Sequence, residues 1–557
     1  MSADATGRRV VVVTGGGGGI GAAIAMELGR RGDHVVTVDP LVSVDGTEQL
    51  GGSEPTTAER IVAAGGSAQT SAASVTDPEA MTLLADELVQ THGRIDAVVN
   101  VAGITRPTGF AKGAEHDWSA VLSVHLDGYR NLLEAVLGHM AAAGRGHVVG
   151  VTSGSGWRAA DAGAYSCATR AVASLTWQLG RATPPGVAVN AISPIAMTRM
   201  VAAALGRSGA SAAAAAAPGG SSATGGLSLG SMPEPEHLAP LGASLAGHGA
   251  AAVTGRVLFT CGSEVAVVDP PRLLEVVRTA GAASVGAVVD AFVETLATAQ
   301  ASQSTGGGAN PRFAGLFDLA GSAPHDRPMP RTVIVTDRPD LGAAIAGALD
   351  DALAGSGAAI VVPAGSDHHG SGPTALFGAA RDALAAAAGA HGPLDSVVVA
   401  LATPAPARTG TWDEVLSSHA GLSDWLLRDA AWARAAAEHA ADTGHPLRLV
   451  TVTDAATAGG RSRAQAVAQL ARASVRATRE LVAAFPVALE APGEHAGTGA
   501  LVRSIVTRPT VDLAGAELVV GDGWLGLRSH PRPAGSIVYG GPDLPDWFNE
   551  VLEEQCR

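Results

Sequence analysis

A glycine-rich turn between two apolar segments most strongly constrains how this chain folds. The run Val10–Val13 is followed by Thr14 and five consecutive glycines (15–19), and an alanine-rich stretch follows Gly21. β-Branched residues favour a buried strand, and the apolar spacing in Ala22–Arg31 favours a helix. Glycines let the backbone turn sharply and approach a ligand at the helix N-terminus. The pattern therefore predicts a strand–turn–helix unit able to bind a phosphate group.

The alternation of strand and helix continues along the chain. Valine-rich runs predict buried strands at His34–Val38, Ala97–Asn100 and His147–Val151, and Pro78–His92 between them has helical periodicity. Runs that are apolar on both faces are typical of parallel strands covered by helices. We therefore predict an α/β fold, built on a doubly wound parallel sheet of the Rossmann type.

The same pattern restarts after residue 330. Arg331–Thr336 predicts another first strand, and Trp412–His419 shares Trp, Val, Leu, Ser and His with Trp118–His125. This shared order indicates an internal duplication, so we predict two Rossmann domains in tandem. Composition sets the expected boundaries: a first domain over 1–300 with a flexible loop at 197–231, a linker over 301–330, a second domain over 331–535 and a tail over 536–557.

Composition and charge exclude several classes of partner. Hydrophobic residues make up 46% of the chain, and the formal net charge is −15, so neither nucleic acid nor an anionic membrane is expected as a main partner. No apolar stretch is long enough for a membrane span. The cysteines, Cys167, Cys261 and Cys556, have neither metal-ligand spacing nor a disulfide framework. We therefore predict a cytoplasmic protein without a metal site.

An acidic residue at the end of the second predicted strand completes a dinucleotide site. Asp39 follows His34–Val38, where a carboxylate can bind both hydroxyls of an adenosine ribose. Gly15, Gly19 and Gly21 allow a pyrophosphate to approach the helix N-terminus. A carboxylate repels a 2′-phosphate, and no arginine stands in the turn or directly after Asp39. We therefore predict NAD as the cofactor rather than NADP.

Together these motifs resemble the short-chain dehydrogenase/reductase family. Thr14–Gly21 matches the family's Thr-Gly-x-x-x-Gly-x-Gly turn, and Asn100–Gly103 resembles its Asn-Asn-Ala-Gly segment. Asn190–Pro194 resembles the segment after strand six. The likeness is specific in the first half and faint in the second. It implies a cofactor site made of Gly15, Gly19, Ile20, Gly21, Asp39, Asn100, Ala102, Gly103 and Thr198.

Within that family, the first half resembles the (3R)-hydroxyacyl-CoA dehydrogenase part of multifunctional β-oxidation enzymes. The long insert after Asp39, the stretch Gly93–Asn100, and the segments Val124–Leu126 and Thr198–Met200 carry this likeness. It implies a 3-hydroxyacyl or 3-oxoacyl thioester as substrate, or a similarly bulky secondary alcohol or ketone.

The resemblance also implies a catalytic site with one departure from the family pattern. Tyr165 matches the catalytic tyrosine, and Ser153 matches the serine that holds the substrate oxygen, with Thr152 or Ser155 as alternatives. The lysine of the Tyr-x-x-x-Lys motif is Thr169, which has no charge with which to lower the pKa of the tyrosine.

Other residues near this motif bear on the missing charge. Arg170 is the next residue but points about 100° away on a helix, and Arg158 or Lys112 would have to approach from loops. His125 stands where the family has an asparagine, a change also implied by the resemblance to the β-oxidation enzymes.

The second half is more degenerate. Its first turn, Thr336–Gly342, keeps only the last glycine, and Asp337 and Asp340 within it would repel a pyrophosphate. We predict a pseudo-domain that covers, within one chain, the surface a homodimer partner covers in ordinary family members. This intrachain pseudo-dimer would be formed by helices over Asp117–Met140 and Tyr165–Thr183 in the first half and over Trp412–His439 and Arg463–Phe485 in the second. Further homo-oligomerisation stays open.

Three functional hypotheses follow, each with a small-molecule ligand. The first is an NAD-linked oxidoreductase with Tyr165 as acid/base and Ser153 as oxygen-holder. The second is a non-redox pseudo-dehydrogenase that serves as a binding or scaffold subunit. The third keeps the pocket but performs a lyase or isomerase step in which Tyr165 or His125 moves a proton. The glycine turn with Asp39 favours the first or third, and Thr169 favours the second or third.

Overall fold

Two sheets with helices on both faces make up the chain in a computed structural model. The structure describes residues 7–51, 54–208, 233–247, 249, 252–282, 284–304, 330–350, 359–363, 375–402 and 411–557. The strands are β1 (Val10–Thr14), β2 (His34–Val38), β3 (Ser67–Ser71), β4 (Ala97–Asn100), β5 (Gly146–Val151), β6 (Val187–Pro194), β7 (Val257–Cys261), β8 (Glu264–Asp269), β9 (Leu273–Arg278), β10 (Thr332–Thr336), β11 (Ala359–Pro363), β12 (Ser396–Leu401), β13 (Leu447–Asp454), β14 (Val482–Leu489), β15 (Glu517–Gly521), β16 (Trp524–Arg528) and β17 (Arg532–Val538).

Helices connect these strands. They are α1 (Gly19–Arg30), α2 (Thr57–Ala63), α3 (Pro78–His92), α4 (Glu115–Leu122), α5 (Gly128–Ala143), α6 (Gly163–Ala182), α7 (Arg199–Ser208), α8 (Ala239–Leu245), α9 (Val285–Ser304), α10 (Pro339–Asp350), α11 (Ala375–His391), α12 (Trp412–Ser417), α13 (Leu422–Thr443), α14 (Ala458–Ala471), α15 (Ser474–Ala477), α16 (His495–Thr507) and α17 (Phe548–Cys556).

The first sheet has the order β17-β8-β7-β6-β5-β4-β1-β2-β3. β1 to β7 run parallel, whereas β8 and β17 are antiparallel additions. Chain order reverses between β1 and β4, which opens a crevice at the carboxyl ends of these strands. The predicted α/β class and parallel sheet are thus confirmed.

The second sheet has the order β11-β10-β12-β13-β14-β15-β16-β9. β10 to β15 run parallel, followed by antiparallel β16 and β9. Its central strands therefore follow the same order as those of the first sheet, as expected for a duplicated unit.

The two sheets exchange their last strands. β9 follows β8 in the chain but pairs with β16, and β17 follows β16 but pairs with β8. The helices after them cross as well: Phe292 of α9 packs in the second core, and Phe548 of α17 packs in the first. The exchange links the halves through main-chain hydrogen bonds at two places.

This exchange bears on the predicted boundaries. Residues 273–304 lie with the second sheet although they precede the expected linker, and residues 532–556 lie with the first sheet. The division at 300, 330 and 535 therefore stays a sequence prediction. The predicted flexible loop at 197–231 begins with α7, and residues 209–232 and 305–329 lie outside the described residues.

Helices from both halves form a shared core between the sheets. One apolar cluster includes Val98 of β4, Val172 of α6, Val467 of α14 and Val399 of β12. Gln178 of α6 spans the contact, donating to the main-chain oxygen of Ala458 and to the Ser462 hydroxyl, both at 3.1 Å. The halves therefore bury their helices against each other.

Buried ion pairs flank this contact. Arg170 of α6 pairs with Glu517 of β15, and Arg463 of α14 makes two 2.8 Å bonds to Asp429 of α13. Removing one partner of such a pair leaves an uncompensated buried charge, which costs about 3–5 kcal/mol. These pairs therefore fix how the helices meet.

One predicted helix is shorter than expected. The helix predicted over Arg463–Phe485 ends at Ala471, and the short helix α15 and strand β14 follow it. Between them Arg479 and Glu480 adopt left-handed backbone angles, with φ of 53° and 70°, which end the helical path. The apolar run at Val482 belongs to the sheet instead.

None of the helices described in the structure is both long and apolar enough to cross a membrane.

Candidate active site

A cavity of about 570 Å³ opens at the carboxyl ends of β1, β2, β4, β5 and β6. It brings together most of the predicted site. The predicted residues that line it are Gly15, Gly19, Ile20, Asp39, Ala102, Gly103, His125, Ser153, Tyr165, Thr169 and Thr198. Gly21 and Asn100 do not line the cavity; they contact the lining or strand residues Gly15 and Thr14 from behind.

The glycine turn at one end of the cavity has no room for side chains. Gly15 and Gly19 have φ of 66° and 53°, a region that favours glycine. A Cβ on Gly15 would lie 2.8 Å from the Ala102 nitrogen, and one on Gly21 would lie 2.1 Å from the Gly15 oxygen. The first turn of α1 carries no acidic residue. Its free amide groups therefore favour an anion.

Asn100 braces the wall behind this turn. The Thr14 hydroxyl donates to Asn100 Oδ1 at 2.8 Å and accepts from the Ala102 amide at 3.3 Å. These bonds join the ends of β1 and β4, so Ala102 and Gly103 are held at the cavity surface.

Asp39 faces the glycine turn. Its Oδ2 accepts from the Gly17 amide at 2.9 Å, and its Oδ1 accepts from the Leu41 amide at 2.7 Å. A carboxylate can accept about four hydrogen bonds. Two positions are therefore left for ribose hydroxyls, and the negative charge at this point disfavours a phosphate.

The insert after Asp39 covers this end of the cavity. Its lining residues include Val42 and Val44. The Thr105 amide donates to the main-chain oxygen of Val44 at 2.9 Å. Arg106 Nε donates to the main-chain oxygen of Asp45, also at 2.9 Å. The insert is thereby attached to the segment after β4 and narrows the entrance.

Ser153 and Tyr165 both line the other end of the cavity, where an interaction with the Ser153 hydroxyl lowers the pKa of Tyr165. Ser153 lies two residues after the end of β5 and caps a short helical turn. There the Ser155 amide donates to Ser153 Oγ at 3.1 Å. The Thr152 hydroxyl instead donates to the main-chain oxygen of Thr169 at 2.7 Å. Of the three candidate hydroxyls, Ser153 is therefore the one that meets Tyr165.

His125 packs edge-on against Tyr165, with ring centroids 5.1 Å apart and an angle of 84°. It lies in a π-helical turn, and its Nε2 is 2.7 Å from the Ile104 oxygen and 3.1 Å from the Ile104 nitrogen. Burial lowers the pKa of His125. A neutral ring at this place supports Tyr165 without adding a positive charge.

The first half of the chain is similar in sequence to known proteins. The model of the short chain dehydrogenase family matches residues 9–207. The short-chain reductase protein NovJ of Streptomyces niveus is 34% identical over 186 residues, covering 33% of this chain and 68% of NovJ. The hydroxyacyl-CoA dehydrogenase ChsB1 of Mycobacterium tuberculosis is 30% identical over 285 residues, covering 48% of this chain and 82% of that protein.

This chain belongs to the short-chain dehydrogenase family.

A longer relative matches only in part. The peroxisomal multifunctional enzyme A of Dictyostelium discoideum is 32% identical over 196 residues, which cover 34% of this chain and 43% of that enzyme. Among solved structures, a putative NAD(P) dependent gluconate 5-dehydrogenase from Beutenbergia cavernae is 31% identical, with a TM-score of 0.38, covering 46% of this chain and 96% of that one.

In this short-chain dehydrogenase, the sequence assigns Thr169 to the position of the family's lysine. Thr169 is 1% exposed, and its hydroxyl donates to the Tyr165 main-chain oxygen at 2.7 Å. Burial raises the pKa of Tyr165, and the Ser153 hydrogen bond opposes this only in part. Tyr165 therefore keeps its proton at neutral pH.

The three cations considered from sequence lie elsewhere. Arg170 is turned into the contact with Glu517, as its place on the helix predicted. Lys112 is exposed and 3.8 Å from Asp161, and Arg158 lies over the Trp157 ring at 5.8 Å. None of the three lines the described cavity.

Two other arginines line the cavity and were missed by the sequence reasoning. Arg106 donates to the main-chain oxygen of Asp45 and forms an ion pair with the Asp117 carboxylate at 3.3 Å. Arg199 lies at the glycine turn: a Cβ on Gly18 would be 3.2 Å from its guanidinium. The signal was present, because Arg199 directly follows Thr198 in a segment already linked to the cofactor.

Asp337 occupies the first turn of the second half, where its carboxylate accepts from the Ala402 amide at 2.7 Å. A void of about 20 Å³ lies between Gln465 and Glu517, the size of one water molecule. A cavity of about 330 Å³ in this half lies among Pro330, Asp395 and His445.

Proposed function

We propose that the chain is an NAD-linked oxidoreductase that reduces a bulky ketone, such as a 3-oxoacyl thioester, to the secondary alcohol. The main support is one continuous cavity that joins the glycine turn and Asp39 to the Ser153–Tyr165 pair. A protein that only served as a scaffold has no need of this conjunction.

The residues of the turn fit a dinucleotide. The amides at the start of α1 and the Arg199 guanidinium would hold the diphosphate, and Asp39 would hold the adenosine ribose. The repulsion between Asp39 and a 2′-phosphate supports NAD over NADP. When bound, the reduced dinucleotide would supply the hydride that the substrate carbonyl carbon gains.

Tyr165 would move the proton. With its pKa above the ordinary value, it is protonated at neutral pH and donates its hydroxyl proton to the substrate oxygen, while Ser153 donates a hydrogen bond to that oxygen. The proton given up is replaced from solvent through the cavity entrance. This protonation state supports reduction more than oxidation, which would require a tyrosinate.

The names of two relatives support a thioester substrate. The cavity of about 570 Å³ would be shared by the dinucleotide and the reacting end of the substrate. ChsB1 is named as a hydroxyacyl-CoA dehydrogenase, and an acetoacetyl-CoA reductase of Synechocystis is 34% identical over 188 residues. These names support the acyl thioester reading for the first half.

Thr169 supports a second candidate function. Because no described cation replaces the family's lysine, the chain would bind a dinucleotide without redox turnover, or perform a lyase or isomerase step through Tyr165 or His125. A pseudo-dehydrogenase of this kind would serve as a binding or scaffold subunit. We regard reduction as better supported, since Ser153 and Tyr165 keep their mutual bond.

We further propose that the second half replaces a homodimer partner and that the protein is cytoplasmic. The α6–α14 contact supports the first point. All three cysteines are free thiols, two of them buried, which supports a reducing compartment.

Calorimetry with NADH and NADPH, followed by turnover of 3-oxoacyl thioesters, tests these proposals. We expect NADH to bind more tightly and turnover to fall about 10²–10⁴-fold in Tyr165→Phe, with NADH binding kept. Binding without turnover would favour the altered-chemistry function. A wild-type chain that binds neither dinucleotide would favour the scaffold.

A further inference from the structure

The loop that follows Ser153 is held by side chains of the second half. Five consecutive main-chain oxygens, at residues 155 to 159, accept side-chain hydrogen bonds. The donors are Gln469 to Ser155 (2.9 Å) and to Arg158, Arg472 to Trp157 (2.6 Å), Arg476 to Ala159 (3.4 Å) and Arg170 to Gly156 (3.5 Å). Three of these four donors belong to the second half. Gln469 lies on α14, Arg472 follows it directly, and Arg476 lies on α15.

These side chains supply hydrogen-bond donors to carbonyl groups of a loop that is not paired in a sheet. Gln469 is 1% exposed and donates to two carbonyl groups, and its own Oε1 accepts from Arg472 at 3.3 Å. A buried carbonyl without a donor destabilises the state that contains it. The loop conformation seen here therefore depends on the second half being docked.

The loop reaches the proposed acid/base pair through one residue, Ser155. The amide of Ser155 donates to Ser153 Oγ at 3.1 Å, and its carbonyl accepts from Gln469. Ser153 in turn is bonded to Tyr165. Release of the Ser155 carbonyl from Gln469 would therefore let Ser155 move, and its amide would no longer hold the Ser153 hydroxyl in place.

We propose that Gln469 and Arg472 are positioning residues that hold the 155–159 loop so that Ser153 meets Tyr165. This rests on the proposed function of that pair. It assigns the degenerate half a role beyond covering an apolar surface: it supplies the donors that complete the active-site loop of the first half.

The choice of residues fits this role better than packing alone. An apolar side chain at Gln469 would fill the same space between the helices but would leave the Ser155 carbonyl without a donor and the Arg158 carbonyl with only the Ala160 amide. Arg472 remains charged at neutral pH, although burial lowers its pKa to about 10. Charge-assisted bonds are about twice as strong as neutral ones, so the Trp157 carbonyl is firmly held.

The test replaces Gln469→Met, which keeps the length of the side chain and removes both donated bonds. The matched control is Gln178→Met, another glutamine of the same helix contact, whose bonds go to Ala458 and Ser462 and not to the loop. The full-length variants are compared in turnover of a 3-oxoacyl thioester and in hydrogen exchange of the peptide that contains 153–162.

We expect Gln469→Met to lower kcat about tenfold, with KM for the dinucleotide within about twofold, because misplacing a reacting group acts on the chemical step. Exchange of the 153–162 peptide should rise in this variant alone. Gln178→Met should lose similar stability without either effect.

Exchange that is unchanged in Gln469→Met, or raised equally in Gln178→Met, overturns the positioning role. Should Gln469→Met fail to fold, Arg472→Gln provides the same test, because the shorter glutamine side chain cannot reach the main-chain oxygen of Trp157. If the wild-type chain reduces no substrate, the proposed function fails, and the exchange result alone decides whether the loop is held by Gln469.

Discussion

The hydroxyl of Thr169 donates to the main-chain oxygen of Tyr165 at 2.7 Å, one turn earlier in α6. The hydroxyl is thus used within its own helix, although Thr169 lines the cavity. A longer, charged side chain at the same place would extend along the cavity towards the dinucleotide site. The position is therefore suited to restoring the family's lysine.

Thr169→Lys should raise kcat for ketone reduction and also allow alcohol oxidation. An ammonium group close to Tyr165 lowers its pKa, and one pKa unit corresponds to about 1.4 kcal/mol or tenfold in equilibrium. We expect about a tenfold gain in oxidation measured with saturating NAD at pH 8–9. Thr169→Met is the control for side-chain length; equal gains in both variants would contradict the charge argument.

Asp39→Ser should weaken NAD binding about tenfold, because a charged acceptor for ribose hydroxyls is lost. Binding of NADP should improve relative to NAD, since the repulsion of the 2′-phosphate disappears. Isothermal titration with both dinucleotides measures this ratio. Asp382→Ser, on the exposed face of α11, should leave both affinities unchanged, and an unaltered ratio in Asp39→Ser would place the ribose elsewhere.

Arg199→Met should lower the affinity for ADP-ribose about five- to tenfold, as one charge-assisted contact to the diphosphate is removed. The affinity should also depend less on salt, because fewer charges are screened. Arg381→Met, another exposed arginine, controls for net charge. Unchanged affinity and salt dependence would show that Arg199 does not meet the diphosphate.

Stability should fall as pH is lowered from about 6.5 to about 4. Burial lowers the pKa of His419 to about 4, and its ring is bonded to Val415 and to Ser462. The unfolded chain therefore takes up a proton before the folded one, so the stability present above the unfolded pKa is lost on acidification. The shift corresponds to about 3 kcal/mol at most.

Urea unfolding across this pH window provides the measurement. His419→Gln should flatten the pH dependence, whereas His391→Gln, at an exposed position, should not. Burial also lowers the pKa of His530 to about 4, which adds a contribution of the same sign. A slope that is identical in wild type and His419→Gln would contradict the assignment.

Much of the first half could be predicted locally. The strands at His34–Val38 and Ala97–Asn100 and the helix at Pro78–His92 have the predicted bounds. The approach of Asp39 to the glycine turn follows from its place at the end of β2, beside β1. Neighbouring parallel strands end at the same edge, so residues after them meet without further information.

Contacts between distant segments could not be predicted in this way. Alternation of strand and helix does not say which sheet the edge strands β9 and β17 join, because either sheet offers an unpaired edge of similar chemistry. The helix predicted over Arg463–Phe485 is too long because its apolar residues suit either a helix or a strand. In the structure the helix ends at Ala471, and the residues from Val482 onward form β14.

Residue type and short spacing were enough to predict the glycine turn, the acid after β2, the positions of Ser153 and Tyr165, and Thr169 in place of the family's lysine. Tertiary packing was needed to show that Arg170 pairs with Glu517, that Arg199 lies at the glycine turn, and that Gln469 donates to the loop after Ser153. Each of these contacts joins segments far apart in the chain, and their geometry exists only once the helices and sheets have packed.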